Sequence, residues 1–263
     1  MSRLRVGVVI SEKKLKDFEA RNIFRPSSRI EYTFTPLGVE LDCILTKVSD
    51  SVSLGELPIG VCHVVSPQVQ RLTHDRLELA TKLRALGVCV PDFSTELSGE
   101  LCLAKTRKAC GPPFTHLMAL VEQPGHLAEL QGNIPVGEPL FFQHFVSHGE
   151  LFYKVFVIGT AVRIFARPSV SKQRPRGSIF NSQTLSKESS ESEFLSASDR
   201  LELIETATKI NSGLGLLLFG FDAVRGACGR FFVVDVNYFP TYKEVDDFAD
   251  LLEDLLISNF TRS

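Results

Sequence analysis

The pattern of apolar and polar positions falls into two textures. In the first, short apolar runs alternate with helical spacing. Residues 5–10 form a compact apolar run that ends at Ser11-Glu12-Lys13-Lys14, which reads as a strand, a cap and the start of a helix. Residues 41–48 and 60–65 are two further strand candidates. Between 67 and 86 the apolar side chains Val69, Leu72, Leu77, Leu79, Leu83 and Leu86 recur at helical intervals, and Gly87 supplies the stop. This alternation predicts a small α/β lobe with a mainly parallel sheet.

From about Glu100 onward, strand-like runs follow one another: 101–105, 116–121 and 139–146. Residues 151–157 and 160–166 flank Ile158-Gly159, a hairpin signal. Residues 178–198 are rich in Ser and Glu and read as a mobile loop. Ser198-Asp199 then caps a helix that reaches Ser212-Gly213. Strands at 216–224 and 230–236 flank the turn at 226–229, and an amphipathic helix at 243–260 follows.

Composition narrows the class. Hydrophobic residues make up 44% of 263 and charged residues 23%, the balance of a globular protein with a substantial core. No apolar run approaches the roughly 20 residues that span a bilayer, and the N-terminal run lacks a signal-like cleavage site. A soluble cytoplasmic protein without membrane insertion is expected, with a monomer as the default. The formal charge of −2 argues against a general nucleic-acid binder. The six cysteines show no C-x-x-C pair and no disulfide rhythm, so reduced thiols are expected.

The candidate chemistry concentrates near the C-terminal hairpin. Asp235 and Asn237 lie two apart on one strand and share a face, with Val234 and Val236 turned the other way. A hairpin centred on Cys228-Gly229 brings Asp222 roughly opposite Asp235. Two carboxylates and an amide on such apolar strands call for a cation or a basic partner, because an unpaired buried carboxylate costs several kcal/mol. Oxygen ligands of this kind suit Mg²⁺ shared with phosphate oxygens; acids in salt bridges or at an exposed edge fit the same pattern. Lys14, Lys47 and Lys105 follow strand-like runs, and Lys154 and Arg167 sit in the hairpin. Cations at strand ends suit a polyanion, and each taken singly also fits a solvated surface charge. Gln143, preceded by Phe141-Phe142, fits an adenine-binding hinge. His144 and His148 do not form H-E-x-x-H, and there is no G-x-x-x-x-G-K-[ST] loop, so phosphoryl transfer needs another ATP-binding architecture.

Together these residues resemble the inositol 1,3,4-trisphosphate 5/6-kinases (inositol-tetrakisphosphate 1-kinases), which have the ATP-grasp fold. The likeness runs over nearly the whole chain. It is densest in Gln143-His144-Phe145-Val146-Ser147-His148 and in Leu151-Phe152-Tyr153-Lys154-Val155-Phe156-Val157-Ile158-Gly159. It continues in Arg167-Pro168-Ser169, Phe180-Asn181-Ser182, 214–221 and Asp235-Val236-Asn237-Tyr238-Phe239-Pro240. The resemblance implies an ATP-grasp fold of mixed α and β lobes with an N-terminal Rossmann-like lobe. It divides the chain into an inositol-phosphate-binding lobe (1–66), a shortened central ATP-grasp lobe (67–142) and a C-terminal ATP-grasp lobe with the metal site (143–263). It implies Mg²⁺ on Asp222, Asp235 and Asn237, with ATP as co-substrate and inositol phosphates as acceptor. Lys14, Lys47, His116, Lys154 and Asn237 would hold the acceptor, and Lys154, Asp235 and Asn237 would carry the chemistry. Arg76, Lys105, Gln143, His144, Phe145, His148, Ser169, Ser182 and Ser186 would contact the nucleotide. Cys110-Gly111 stands where the family has His-Gly, and Thr241 where it often has Gly or Ser. The expected activity is transfer of the γ-phosphoryl of ATP to a hydroxyl of an inositol tris- or tetrakisphosphate. A carboxylate–amine ligase of the same fold, or a non-catalytic inositol-phosphate or nucleotide sensor, are the alternatives.

Overall fold

The computed structural model describes residues 3–25, 27–34, 39–47, 60–169, 174–181, 190–191 and 195–261. Among the described residues the strands form three sheets, and the second takes its last strand from between the strands of the third. The first is parallel, in the order β2-β1-β3-β4, from β1 (Leu4–Val9), β2 (Ile30–Thr33), β3 (Cys43–Thr46) and β4 (Cys62–His63). Helix α1 (Glu12–Ala20) starts where the Ser11 side chain caps it and lays Lys14 and Phe18 inward. Arg21 closes it, and Asn22 takes the left-handed conformation (φ 51°) common just past a helix end. Parallel strands buried on both faces read as continuous apolar runs, which is how Cys43-Ile44-Leu45 appears in the sequence.

The expected single helix over 67–86 is two helices, α2 (Pro67–Leu72) and α3 (Arg76–Ala85). The break has a local cause. Asp75 adopts an extended conformation and its carboxylate accepts from the N–H groups of Leu77 and Glu78, so it starts a new helix rather than continuing the old one. Arg76 thereby becomes the first residue of α3. Gly87 ends it with φ 69°.

The second sheet is antiparallel, in the order β11-β7-β6-β8-β5, from β5 (Phe93–Ser94), β6 (Cys102–Thr106), β7 (Leu117–Val121), β8 (Leu140–His144) and β11 (Ile179–Asn181). One face buries Cys102, Ala104, Ala119, Val121 and Phe142 with Leu130 of α4 (Ala128–Gly132). The other carries Lys105 and Gln143, which is diagonal to it across the β6–β8 pair.

The third sheet, antiparallel, runs β12-β10-β9-β13-β14, from β9 (Leu151–Ile158), β10 (Ala161–Pro168), β12 (Ser190–Glu191), β13 (Leu218–Arg225) and β14 (Phe231–Tyr238). Val155, Val157, Phe219, Phe221 and Val236 share a core with Leu203, Ala207 and Ile210 of α5 (Ala197–Leu214) and Phe248, Leu252 and Leu256 of α6 (Phe248–Phe260). Each of the Val, Leu, Ile and Phe side chains among them contributes about 1.5–3 kcal/mol on burial.

Two helix starts differ from expectation. Ser196, not Ser198-Asp199, caps α5, its hydroxyl accepting from Asp199 N–H. Helix α6 begins at Phe248 rather than 243, because Lys243 and Glu244 are drawn to Asp17 and Arg167 on other elements and Val245 N–H closes a turn on Tyr242. Of the Ser- and Glu-rich segment, 182–189 and 192–194 lie outside the described residues. Among the described residues no helix is long and apolar enough to cross a membrane.

Candidate active site

Register builds the centre. Asp222 of β13 pairs directly with Lys154 of β9 on one side and Asp235 of β14 on the other. Residues directly opposite in an antiparallel pair share a face, so Lys154, Asp222 and Asp235 form one row across three strands. Asn237, two residues beyond Asp235, extends it, and its amide donates to Asp235 Oδ2 at 2.7 Å. Opposite Asn237 stands Gly220. A Cβ there would lie 3.2 Å from the Val155 carbonyl oxygen and 3.3 Å from both Phe156 Cδ1 and Pro240 Cγ, so glycine is what lets the Asn237–Pro240 segment close over the sheet. A bulge between Asp222 and Ala223 leaves Val234 as an extra residue on β14. Its carbonyl lies 3.4 Å from Lys105 Nζ of the central sheet.

The two acids are electrostatically distinct. Lys154 Nζ stands 2.7 Å from Asp222 Oδ1 as an ion pair, yet that buried oxygen accepts no well-aligned hydrogen bond. Burial and the neighbouring Asp235 charge push the Asp222 carboxyl up, against the pull of Lys154 and Arg167. Burial also acts to raise Asp235, but Arg76, Lys105 and Lys154, with the Asn237 hydrogen bond, outweigh it and hold that carboxyl below its usual range. Asp235 is therefore the firmly ionised member of the pair.

Cations converge from the other two sheets. Lys105 is buried, donates to Gln143 Oε1 at 2.8 Å, and is lowered to about 8 by burial and by Arg76. The Arg76 guanidinium donates to the carbonyls of Thr106, Lys108 and Thr115 at 2.6, 2.7 and 3.1 Å, while its buried Nε has no hydrogen-bond partner among the described residues. Burial and Arg76 lower His116, which also feels Asp235. At the end of β14, Lys47 Nζ donates to the Tyr238 and Phe239 carbonyls at 2.9 and 3.0 Å. Lys14 Nζ donates to Phe239 and, at 3.1 Å, to Pro240, and lies 4.0 Å from the Phe239 ring centre. Burial lowers both lysines, and Lys47 lowers Lys14 further. Phe239 is held left-handed, φ 42°.

A model of the inositol 1,3,4-trisphosphate 5/6-kinase ATP-grasp domain matches residues 94–258, more than half of the chain. The chain belongs to that family. The inositol-tetrakisphosphate 1-kinase 3 of Arabidopsis thaliana is 30% identical over 59% of the chain, and the inositol-tetrakisphosphate 1-kinase of Xenopus laevis 34% identical over 57%. The chain spans 46% and 40% of their lengths. A third relative, inositol-tetrakisphosphate 1-kinase 1 of Arabidopsis thaliana, is 28% identical over 85% of the chain and 82% of its own length. Among solved structures, the VanG D-Ala:D-Ser ligase of Enterococcus faecalis superposes with a TM-score of 0.70 at 12% identity, covering 99% of this chain and all of that one. An N5-carboxyaminoimidazole synthetase of Staphylococcus aureus, complexed with ADP, gives 0.68 at 13%, covering 100% and 79%. At such identities the likeness shows the fold, which is ATP-grasp.

Not every residue expected at the site of this 5/6-kinase family member gathers there. His144 follows Gln143 on β8 and points to the opposite face, where Nδ1 is 3.0 Å from Glu100. His148 and Ser169 bond one another at 2.6 Å, and the His148 ring packs 5.4 Å from Phe145. His148 lines a cavity of about 530 Å³ together with Tyr153 and Arg225. Tyr153 packs edge-on against Phe231 and Arg225 pairs with Asp199 of α5, so this cavity lies on the sheet face opposite the acids. Ser182 and Ser186 lie outside the described residues. Conversely, Arg167 shares the Lys154 face, although the family resemblance assigns it no contact. It pairs with Glu244, its buried Nε has no hydrogen-bond partner among the described residues, and it acts on Asp222. The Ile158-Gly159 hairpin carries the signal for this, because Arg167 pairs with Phe152 across it, two residues from Lys154.

Proposed function

We propose that this chain transfers the γ-phosphoryl of ATP to a hydroxyl of an inositol tris- or tetrakisphosphate. One observation carries the reading: two half-buried acids in register on one sheet face, with cations approaching from both neighbouring sheets. The acids and the Asn237 amide fit a divalent cation. Asp222 Oδ1 is buried against the Lys154 ammonium, and the ligand atoms are hard oxygens. Among the described residues no three His, Cys, Asp or Glu side chains form a metal cage. Mg²⁺ habitually completes such a partial set with water and phosphate oxygens. When bound, the ion would neutralise charge on the nucleotide phosphates.

The chain's own groups divide the remaining work. Lys105 and Arg76, on the central side, are positioned for the nucleotide phosphates. Lys14 and Lys47, both beside the Phe239 carbonyl, are positioned for acceptor phosphates. Lys154 lies between the two groups, where a cation stabilises charge on the phosphoryl in transit. In the transfer itself the acceptor hydroxyl oxygen bonds to the γ-phosphorus, the bond to the β–γ bridging oxygen breaks, and the hydroxyl proton is released. A loose transition state asks for placement and charge more than for covalent help. The N-terminal lysines favour a polyanionic acceptor over the carboxylate and amine of a ligase.

The test is a Mg²⁺-ATP assay against inositol tris- and tetrakisphosphate isomers, with products resolved by NMR. The expected result is acceptor-dependent ADP with one new phosphate on the ring. ADP and phosphate formed with an amine and a carboxylate would indicate the ligase, and tight binding without turnover a sensor.

A further inference from the structure

Lys47 is fixed at both ends by one pair of adjacent residues on the far lobe. Its ammonium donates to the carbonyls of Tyr238 and Phe239. In the opposite direction, the Tyr238 hydroxyl donates to the carbonyl of Thr46, the residue before Lys47, at 2.5 Å. The hydrogen bonds and the intervening backbone close a ring between the end of β3 and the end of β14. A second anchor comes from α2. Gln70 Nε2 donates to Thr46 Oγ1 at 2.7 Å and to the Val65 carbonyl at 2.9 Å. Thr46, Gln70 and Tyr238 are 1%, 0% and 3% exposed.

Polar groups sealed this deeply are tolerated because each is paired, and they specify one arrangement where an apolar contact would tolerate several. A lysine ammonium on a four-carbon stem is otherwise a mobile point charge. Burying the Tyr238 ring needs no hydroxyl; the hydroxyl adds a fixed distance between Thr46 and the strand that carries Asp235 and Asn237.

We propose that Tyr238 is a positioning residue for the acceptor, acting with Gln70 through Thr46 to set the Lys47 ammonium at a fixed separation from the Asp235–Asn237 strand. This rests on the reading of Lys47 as an acceptor-phosphate ligand. Tyr238 touches neither substrate. Its hydroxyl ties the placement of the acceptor lobe to that of the acid-bearing strand.

The test uses the whole chain, inositol 1,3,4-trisphosphate and Mg²⁺-ATP, with Tyr238→Phe, Lys47→Met and the double variant. Lys47→Met is expected to raise the acceptor KM roughly 10–100-fold, the effect of losing one charge-assisted hydrogen bond. Tyr238→Phe is expected to raise the same KM about tenfold, with the ATP KM within about twofold, since a buried carbonyl loses its donor. The decisive feature is coupling: on the Lys47→Met background, Tyr238→Phe should add nothing to the acceptor KM. Full additivity, equal rises in both KM values, or an unchanged acceptor KM in Tyr238→Phe would overturn the proposal. If Lys47→Met itself leaves the acceptor KM unchanged, the reading of Lys47 fails instead. Should Tyr238→Phe lower the melting temperature sharply, Thr46→Val, which removes only the Gln70 bond, decides the matter by the same KM split.

Discussion

Lys105 offers a proton count that can be weighed in advance. Burial and Arg76 lower its ammonium to about 8, with Asp235 and Asp222 only partly opposing them. At pH 8 about half of the molecules carry the charge; at pH 7 about nine-tenths do, and at pH 9 about one-tenth. A polyphosphate against the ammonium favours the charged form and returns the group toward its ordinary value. ATP binding is then expected to take up about 0.1 proton at pH 7, about 0.5 at pH 8 and about 0.9 at pH 9. Calorimetric titration with a non-hydrolysable ATP analogue, in buffers of different ionisation enthalpy, reads these numbers directly. The same shift fixes a sign for stability. Between about 8 and the unfolded lysine value near 10.4, the unfolded chain binds more protons, so the ligand-free protein gains stability as pH rises through that window. Lys105→Met should abolish the uptake and weaken analogue binding roughly 10–100-fold, the effect of one hydrogen bond to a charged group. Uptake that stays flat from pH 7 to 9, or survives unchanged in Lys105→Met, would refute the placement of Lys105 at the nucleotide phosphates.

Other expectations are more local. Asp235→Asn keeps the shape but removes the ionised member of the acid pair; transfer is expected to fall at least about 100-fold with an unchanged melting curve, and near-normal turnover would remove Asp235 from the chemistry. Gly220→Ala forces a Cβ against a carbonyl, a ring and Pro240, overpacking that costs about 1–3 kcal/mol. That corresponds to a melting temperature lower by about 2–4 °C for each kcal/mol. Asn22→Gly, at the left-handed end of α1, should leave stability unchanged or slightly higher, whereas Asn22→Ala should cost about 1 kcal/mol in a denaturant titration.

Much of this architecture was legible from local signals. A hairpin centred on Cys228-Gly229 predicts Asp222 opposite Asp235, but the register observed next to the turn, Arg225 with Phe231 and Ala223 with Val233, extrapolates to Asp222 opposite Val234. The bulge restores the pairing: Asp235 stands opposite Asp222 only because Val234 is set aside, and nothing in Val-Val-Asp marks which residue yields. The break between α2 and α3 had a readable cause in Asp75 followed by Glu78, a cap pattern hidden inside otherwise continuous helical spacing. His144 shows the limit of motif transfer. It is adjacent to Gln143, and adjacency along a strand means opposite faces, so a contiguous binding segment contributes alternate side chains. The links between lobes were invisible. Lys14 to Phe239, Arg21 to Thr241 and Tyr238 to Thr46 join positions that only tertiary folding brings together.

Those links also set a timetable. Lys14 and the carbonyl it holds are separated by 225 residues. At about 5–20 residues per second, the ribosome needs roughly 11–45 s to travel from one to the other. During that interval the first sheet, whose described strands pair with one another, has its partners to hand, while Lys14 and Lys47 lack the Phe239 carbonyl that later fixes both. The end of β14, which completes the site, is therefore also what fixes the first sheet's lysines.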